Sequence, residues 1–183
     1  MGINDYGVVA MILNRTGSLG PQEGKRSRGE LPLEALDHAD AESAIEALAQ
    51  LDGRAYRPFN MVIADNTKVF WIKADGRARI KCYPITPGYH MLTAHDLDDM
   101  ESSRILNNKP AFEQAEIPDP EHGNWTAWQE ILAQGRGMCF HLPNGFGTVA
   151  SSVLALSAVG SEQKPVWLYT HSAPTHGAFT PVL

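Results

Sequence analysis

"MGINDYGVVAMILNR", residues 1–15, is the stretch on which the rest of the reading depends. From Gly7 to Leu13 it runs through Val, Ala, Met, Ile and Leu without a charge, the pattern of a buried β-strand. Ahead of that run, Asn4-Asp5 followed by Gly7 has the residue chemistry of a hairpin turn. A hairpin turn needs a strand before it, and only Met1, Gly2 and Ile3 precede this one. Either the turn reading is wrong, or the strand comes from the middle of a sheet in a domain that the chain enters partway.

Composition sets the frame around this strand. A chain of 183 residues, 43% hydrophobic and 20% charged, is expected to form one soluble globular domain over residues 1–183 with a substantial core. Its formal charge of -6 argues against a nucleic-acid partner, whose binding surface would be basic. Lys25, Arg26 and Arg28 in "GKRSRGE" make the local exception, either a small anion site or a solvated loop. No stretch is apolar enough for membrane insertion and no secretion signal is visible, so a cytoplasmic location is the default. Tyr6 stands where a myristoylation site wants Ser or Thr.

The two cysteines, Cys82 and Cys139, define neither a disulfide framework nor a metal knuckle, and they read as small buried apolar residues. The seven histidines form no HExxH. "MCFHL" sets Cys139 and His141 on one side of a possible strand, two ligands short of a metal site. No metal and no cofactor are expected.

Beyond "NRTGSLGPQEG", a polar loop, the chain predicts a short helix over Glu30 to Ala39. A second follows, capped by Asp40 and ending at Gly53. "FNMVIADNTKVFWIKADG" predicts an antiparallel hairpin turning at "ADNTK", and "IKCYPITPGYHMLTA" continues the β character. From Asp96 the pattern turns helical until Pro110 kinks or ends it. Asn124 is placed to cap "NWTAWQEILAQ", whose Trp125, Trp128, Ile131 and Leu132 share a face. "GFGTVASSVLALSAVG" and "PVWLYT" predict closing strands, with "HSAPTHGAFTPVL" extended behind them. Segregated runs of this kind predict an α+β fold of antiparallel sheets with helices on their outer faces. No glycine-rich phosphate motif opens a helix.

"GVVAMILNRTGSLGP", "GKRSRGELP", "RPFNMVIAD", "TPGYHMLTAHDLDD", "SSRI" and "GFGTVASSVLAL" occur in the order seen in the NRDE family, which includes transport and Golgi organisation protein 2. The resemblance runs from Gly2 to the final "FTPV". It implies the N-terminal nucleophile hydrolase fold, a four-layer αββα sandwich of two sheets between helical layers. Family members carry a cysteine after the initiator methionine and an Asn-Arg-Asp-Glu stretch near the start. They then continue through a Gly-Gly-Thr-Trp segment into the equivalent of "GINDYGVVA". The resemblance thus implies an N-terminally truncated domain.

In that hydrolase class the terminal thiol attacks the substrate, and the α-amino group, with a pKa of about 7.7 to 8.0, serves as base. Removing Met1 here exposes Gly2, so the chain is expected to be inactive in this form. Asn14 ends the strand where similar hydrolases place an amide that donates to the oxyanion, although it equally suits the start of the "NRTG" turn. "LTAHDLDD" lies where relatives place a second polar residue, often Asn, and here it offers Ala94 and His95. His95 is a candidate acid or base, or a surface or capping histidine. Arg104 can hold a substrate carboxylate or phosphate, or pair with Asp98 or Asp99; Arg28 has the same alternatives with Glu30.

The resemblance implies descent from hydrolases of amide or related acyl bonds, with a small acyl or amide ligand. The alternative it implies is a binding or trafficking module for haem or acyl lipid. A third possibility is a homo-oligomer built through an exposed sheet edge.

Overall fold

The computed structural model describes residues 1–135, 137–143, 145–171 and 178–183. The hairpin anticipated in the opening stretch is present. Strand β1 (Gly2–Ile3) pairs antiparallel with β2 (Val9–Asn14), setting Gly2 opposite Ala10 and Ile3 opposite Val9. Asn4 organises the turn: its side-chain oxygen accepts from the backbone N–H groups of Tyr6 and Val8 at 3.0 and 2.9 Å. Gly7 takes a φ of 84°, which a glycine adopts without steric cost. The Asn4 amide nitrogen donates to the carbonyls of Leu36 and His38 at 2.8 and 2.7 Å, so the same residue also ties down the end of a helix.

The chain divides into two compact units, Met1–Asp99 and Met100–Leu183. In the first, β3 (Phe59–Ala64), β4 (Val69–Ala74) and β5 (Lys81–Pro84) complete an antiparallel sheet of order β1-β2-β3-β4-β5. Helices α1 (Glu30–Leu36) and α2 (Ala41–Ala49) lie between β2 and β3 in sequence. Asp40 caps α2 as its position suggests, accepting from Ser43 N at 2.7 Å. The "ADNTK" turn is held by Asp65, whose Oδ1 accepts from the backbone N–H groups of Thr67 and Lys68, while its Oδ2 accepts from Ala41 N at 2.9 Å. One carboxylate therefore fixes both a hairpin turn and the start of α2.

Strand alternation sorts the sheet into two faces. Ala10, Ile12, Phe59, Met61, Ile63, Phe70, Ile72 and Ala74 form one core with Leu31 and Ala35 of α1 and Ala44 and Leu48 of α2. Cys82 packs against this core from β5. Gly53, in a 3-10 turn, has to be glycine because a Cβ there would meet the Arg77 carbonyl oxygen at 2.4 Å.

Three expectations are corrected. The β character of "IKCYPITPGYHMLTA" is confined to Lys81–Pro84, since the prolines at 84 and 87 remove ladder donors. The helix expected from Asp96 begins at Ser103: α3 spans Ser103–Gln114, and Asp98 takes a φ of 56°, incompatible with a helical turn. That helix also does not end at Pro110 but continues through it. The proline forfeits the bond to the Leu106 carbonyl, but Ile105 is buried before it and Phe112 packs edge-on against Trp128 after it, with ring centroids 5.3 Å apart.

In the second unit, α4 covers Thr126–Ala133, with Trp125 rather than Asn124 at the cap position; Asn124 accepts from Thr126 N at 3.4 Å. Strands β6 (Ser151–Ala155), β7 (Val166–Thr170) and β8 (Thr180–Pro181) form an antiparallel sheet in that order. Cys139 and His141 lie outside any strand, His141 making an isolated bridge to Gly147. Of the expected extended tail, residues 172–177 fall outside the described residues. Both sheets are antiparallel and the class is mixed α and β. Among the described residues, no helix is long and apolar enough to cross a membrane.

Candidate functional site

On the sheet face away from α1 and α2, the register aligns Leu13, Asn60, Lys73 and Lys81 in one row across β2, β3, β4 and β5. Asn60 is fully buried there, which obliges its amide to find partners. Its Oδ1 accepts from Arg15 Nη1 at 2.7 Å and Trp71 Nε1 at 3.2 Å. Its Nδ2 donates to the carbonyls of Thr93 and His95 at 2.9 and 2.6 Å. Both halves of the amide are satisfied, and the Thr93–Asp96 segment is bolted to the sheet through backbone atoms.

Asp96 joins the same network through its side chain. Its two oxygens accept from Arg15 Nη2 at 2.6 Å and from Lys73 Nζ at 2.5 Å. Arg15 and Lys73 have side chains only 18% and 19% exposed, so their charges depend on this carboxylate. Burial pushes the Asp96 carboxyl up, but the hydrogen bonds from Lys73 and Arg15 outweigh it and hold the group below the usual carboxylate range. Two cations thus flank a single carboxylate. Thr16 adds a backbone bond, donating from N to the Ala94 carbonyl at 3.1 Å.

Asn14 lies exposed at the end of β2, directly opposite Phe59. Paired residues share a face, so its side chain belongs to the helix-covered side of the sheet, whereas the next residue, Arg15, reaches Asn60 on the other. His95 is brought to Arg15 by its backbone: its carbonyl accepts from Asn60 and, at 3.4 Å, from Arg15 Nη1. Its ring faces Asp99, Nδ1 to Oδ2 at 3.6 Å.

Arg28 works in the loop before α1. Nη1 donates to Ser18 Oγ and the Pro58 carbonyl at 3.1 and 3.0 Å, and Nη2 donates to the Gly20 carbonyl at 3.4 Å. Burial and the neighbouring Arg57 guanidinium both lower its pKa. Glu30, its anticipated partner, instead pairs with Arg26 at 2.7 Å and accepts from the Tyr56 hydroxyl at 2.6 Å. Arg57 is wrapped by the same loop, donating to the carbonyls of Gly17, Leu19, Gly20 and Pro21 at 2.7 to 3.3 Å.

Arg104 belongs to the second unit, where its guanidinium carbon lies 5.3 Å from the centroid of the Phe140 ring. Asp98 and Asp99 precede its helix and face His90 and His95. Cys82 is no activated nucleophile, because burial raises its thiol pKa and so favours the neutral form.

Asn60, Lys73 and Asp96 escaped sequence reasoning. The available signal was an Asn inside the apolar run "FNMVIA" and a Lys inside "VFWIKA", each needing a partner once buried.

A family model described as Transport and Golgi organisation 2 matches residues 1–117, spanning the whole first unit and α3. No curated protein matches the chain.

Proposed function

Because the chain belongs to the Transport and Golgi organisation 2 family, we propose that it is the acyl-binding body of a hydrolase-type fold. In this reading it holds the carbonyl of an amide or related acyl ligand and the negative charge that develops on its oxygen. The two antiparallel sheets and their helices are then parts of a four-layer αββα sandwich. What supports the reading is Asn14: an exposed side-chain amide on a strand end whose next residue is locked to Asn60 and Asp96. A donor held before the reaction loses little free energy to reorganisation, the quality an oxyanion site requires.

Within this proposal Asn14 is the oxyanion donor, and His95 is a positioning residue acting through its carbonyl. Arg28 shapes the adjoining loop. The nucleophile is assigned neither to Cys82 nor to the cation cluster.

The reading is tested by titrating the chain with an alkyl phosphonate, a stable mimic of a tetrahedral oxyanion, and with the matched alkyl amide. The expected outcome is tighter phosphonate binding with movement of the Asn14 side-chain NH2 resonances. Asn14→Ala should reduce the preference by about 10²-fold, the scale of one oxyanion donor. Equal affinities, or an unmoved Asn14, would overturn it. Haem and acyl-CoA, run in the same assay, decide the alternative: saturable binding of either that leaves Asn14 unmoved favours a carrier.

A further inference from the structure

The Thr93–Asp96 segment belongs to a loop closed at its neck by Met91 and Asp98. Asp98 N donates to the Met91 carbonyl at 2.9 Å, and Met91 N donates to Asp98 Oδ1 at 2.9 Å. Asp98 adopts its φ of 56° at this closure, a conformation Asp tolerates better than most residues. Against the neck lies His90, with Nδ1 2.6 Å from Asp98 Oδ2 and Nε2 2.9 Å from the Thr86 carbonyl oxygen. These side chains are 26% and 25% exposed.

The two contacts fix a proton count. A carbonyl oxygen only accepts, so the hydrogen bond to Thr86 requires a proton on Nε2. A neutral imidazole with its proton on Nε2 offers a lone pair at Nδ1, and a carboxylate oxygen offers another. Two lone pairs at 2.6 Å repel. The closed neck therefore needs one further proton between Nδ1 and Oδ2, whichever atom carries it.

We propose that His90 and Asp98 form a proton-dependent clasp that keeps the Thr93–Asp96 loop seated on the sheet. Among the described residues, Asp98 is the charged group in hydrogen-bond contact with the imidazole, and the Thr86 carbonyl and the Gly88 backbone, where an added Cβ would meet Nε2 at 3.6 Å, also lie against it. The closed neck requires that proton, whereas the open loop gives it up as any free imidazole does, so raising the pH past that point disfavours closure by up to about tenfold per pH unit. The link from clasp to ligand rests on the function proposed above; the proton count does not.

Amide hydrogen exchange at Met91 and Asp98, corrected for intrinsic base catalysis and followed in the ligand-free chain, reads the clasp directly. Protection should fall with rising pH in the unaltered chain. Asp98→Asn supplies the missing hydrogen permanently, since its Nδ2 donates to Nδ1 of neutral His90 while its Oδ1 still accepts from Met91. It should hold protection constant across the same pH range, and His90→Phe should lose it throughout. Equal pH dependence in the unaltered chain and Asp98→Asn would overturn the clasp. Phosphonate affinity that ignores pH while exchange follows it would overturn only the link to the ligand.

Discussion

Strand β3 presents two sides that are differently built, and at Asn60 the second is as dry as the first. Phe59, Met61 and Ile63 face α1 and α2 with exposures of 1%, 0% and 0%, and Asn60 between them faces the other way at 0%. On the first side burial is non-directional, and any apolar group of similar volume satisfies it. On the second, four directional bonds converge on one amide and determine where the Thr93–Asp96 loop sits. Equal burial thus does two jobs: one side supplies stability, and the other supplies position.

Substitutions on the two sides should separate these jobs. Phe59→Ala is expected to cost about 3–5 kcal/mol in urea denaturation while leaving the loop's amide resonances near their original positions in the folded fraction. Asn60→Leu should cost about 3 kcal/mol, because it strands Arg15, Trp71 Nε1 and two carbonyls, and should displace the resonances of residues 93–96. Loop signals that stay put in Asn60→Leu would break the comparison.

Asp96→Asn sharpens it. A loss of about 1 kcal/mol is expected, kept small because Asp96 is 41% exposed and water screens its charge. Since the folded carboxyl sits below its usual range, its contribution is fully present above the ordinary carboxylate range and fades as pH falls through the lowered folded value. Acid titration of stability should therefore lose that component in Asp96→Asn and keep it in Phe59→Ala. At the smallest end, Asn14→Ala should shift stability by no more than about 0.5 kcal/mol, as an exposed strand-end residue does, while erasing the phosphonate preference. Equal loss of folding and binding there would make Asn14 merely structural.

The parts legible in the sequence are those whose signal is local. Asn4 with Gly7, Asp40 as a cap and Asp65 within "ADNTK" announce turns and caps because their partners lie within a few residues. Asn60 was illegible because its partners stand 11 to 45 residues away and half of them are backbone carbonyls, which no sequence pattern marks. Arg28 reads in sequence as either a ligand-binding cation or a partner of Glu30, yet the fold surrounds it with oxygens of Ser18, Gly20 and Pro58. Pro110 shows the converse: a strong local stop signal yields when packing holds the turns on either side.

The carbonyls of Gly17, Leu19, Gly20 and Pro21 wrap Arg57. Uncharged oxygens hold that guanidinium, whereas opposite charges hold Asp96 between Arg15 and Lys73. Dissolved electrolyte masks the attraction between full charges and has less to mask in a dipole. In concentrated brine the turn from Gly17 to Pro21 should keep its shape after the half-exposed Asp96 has begun to loosen.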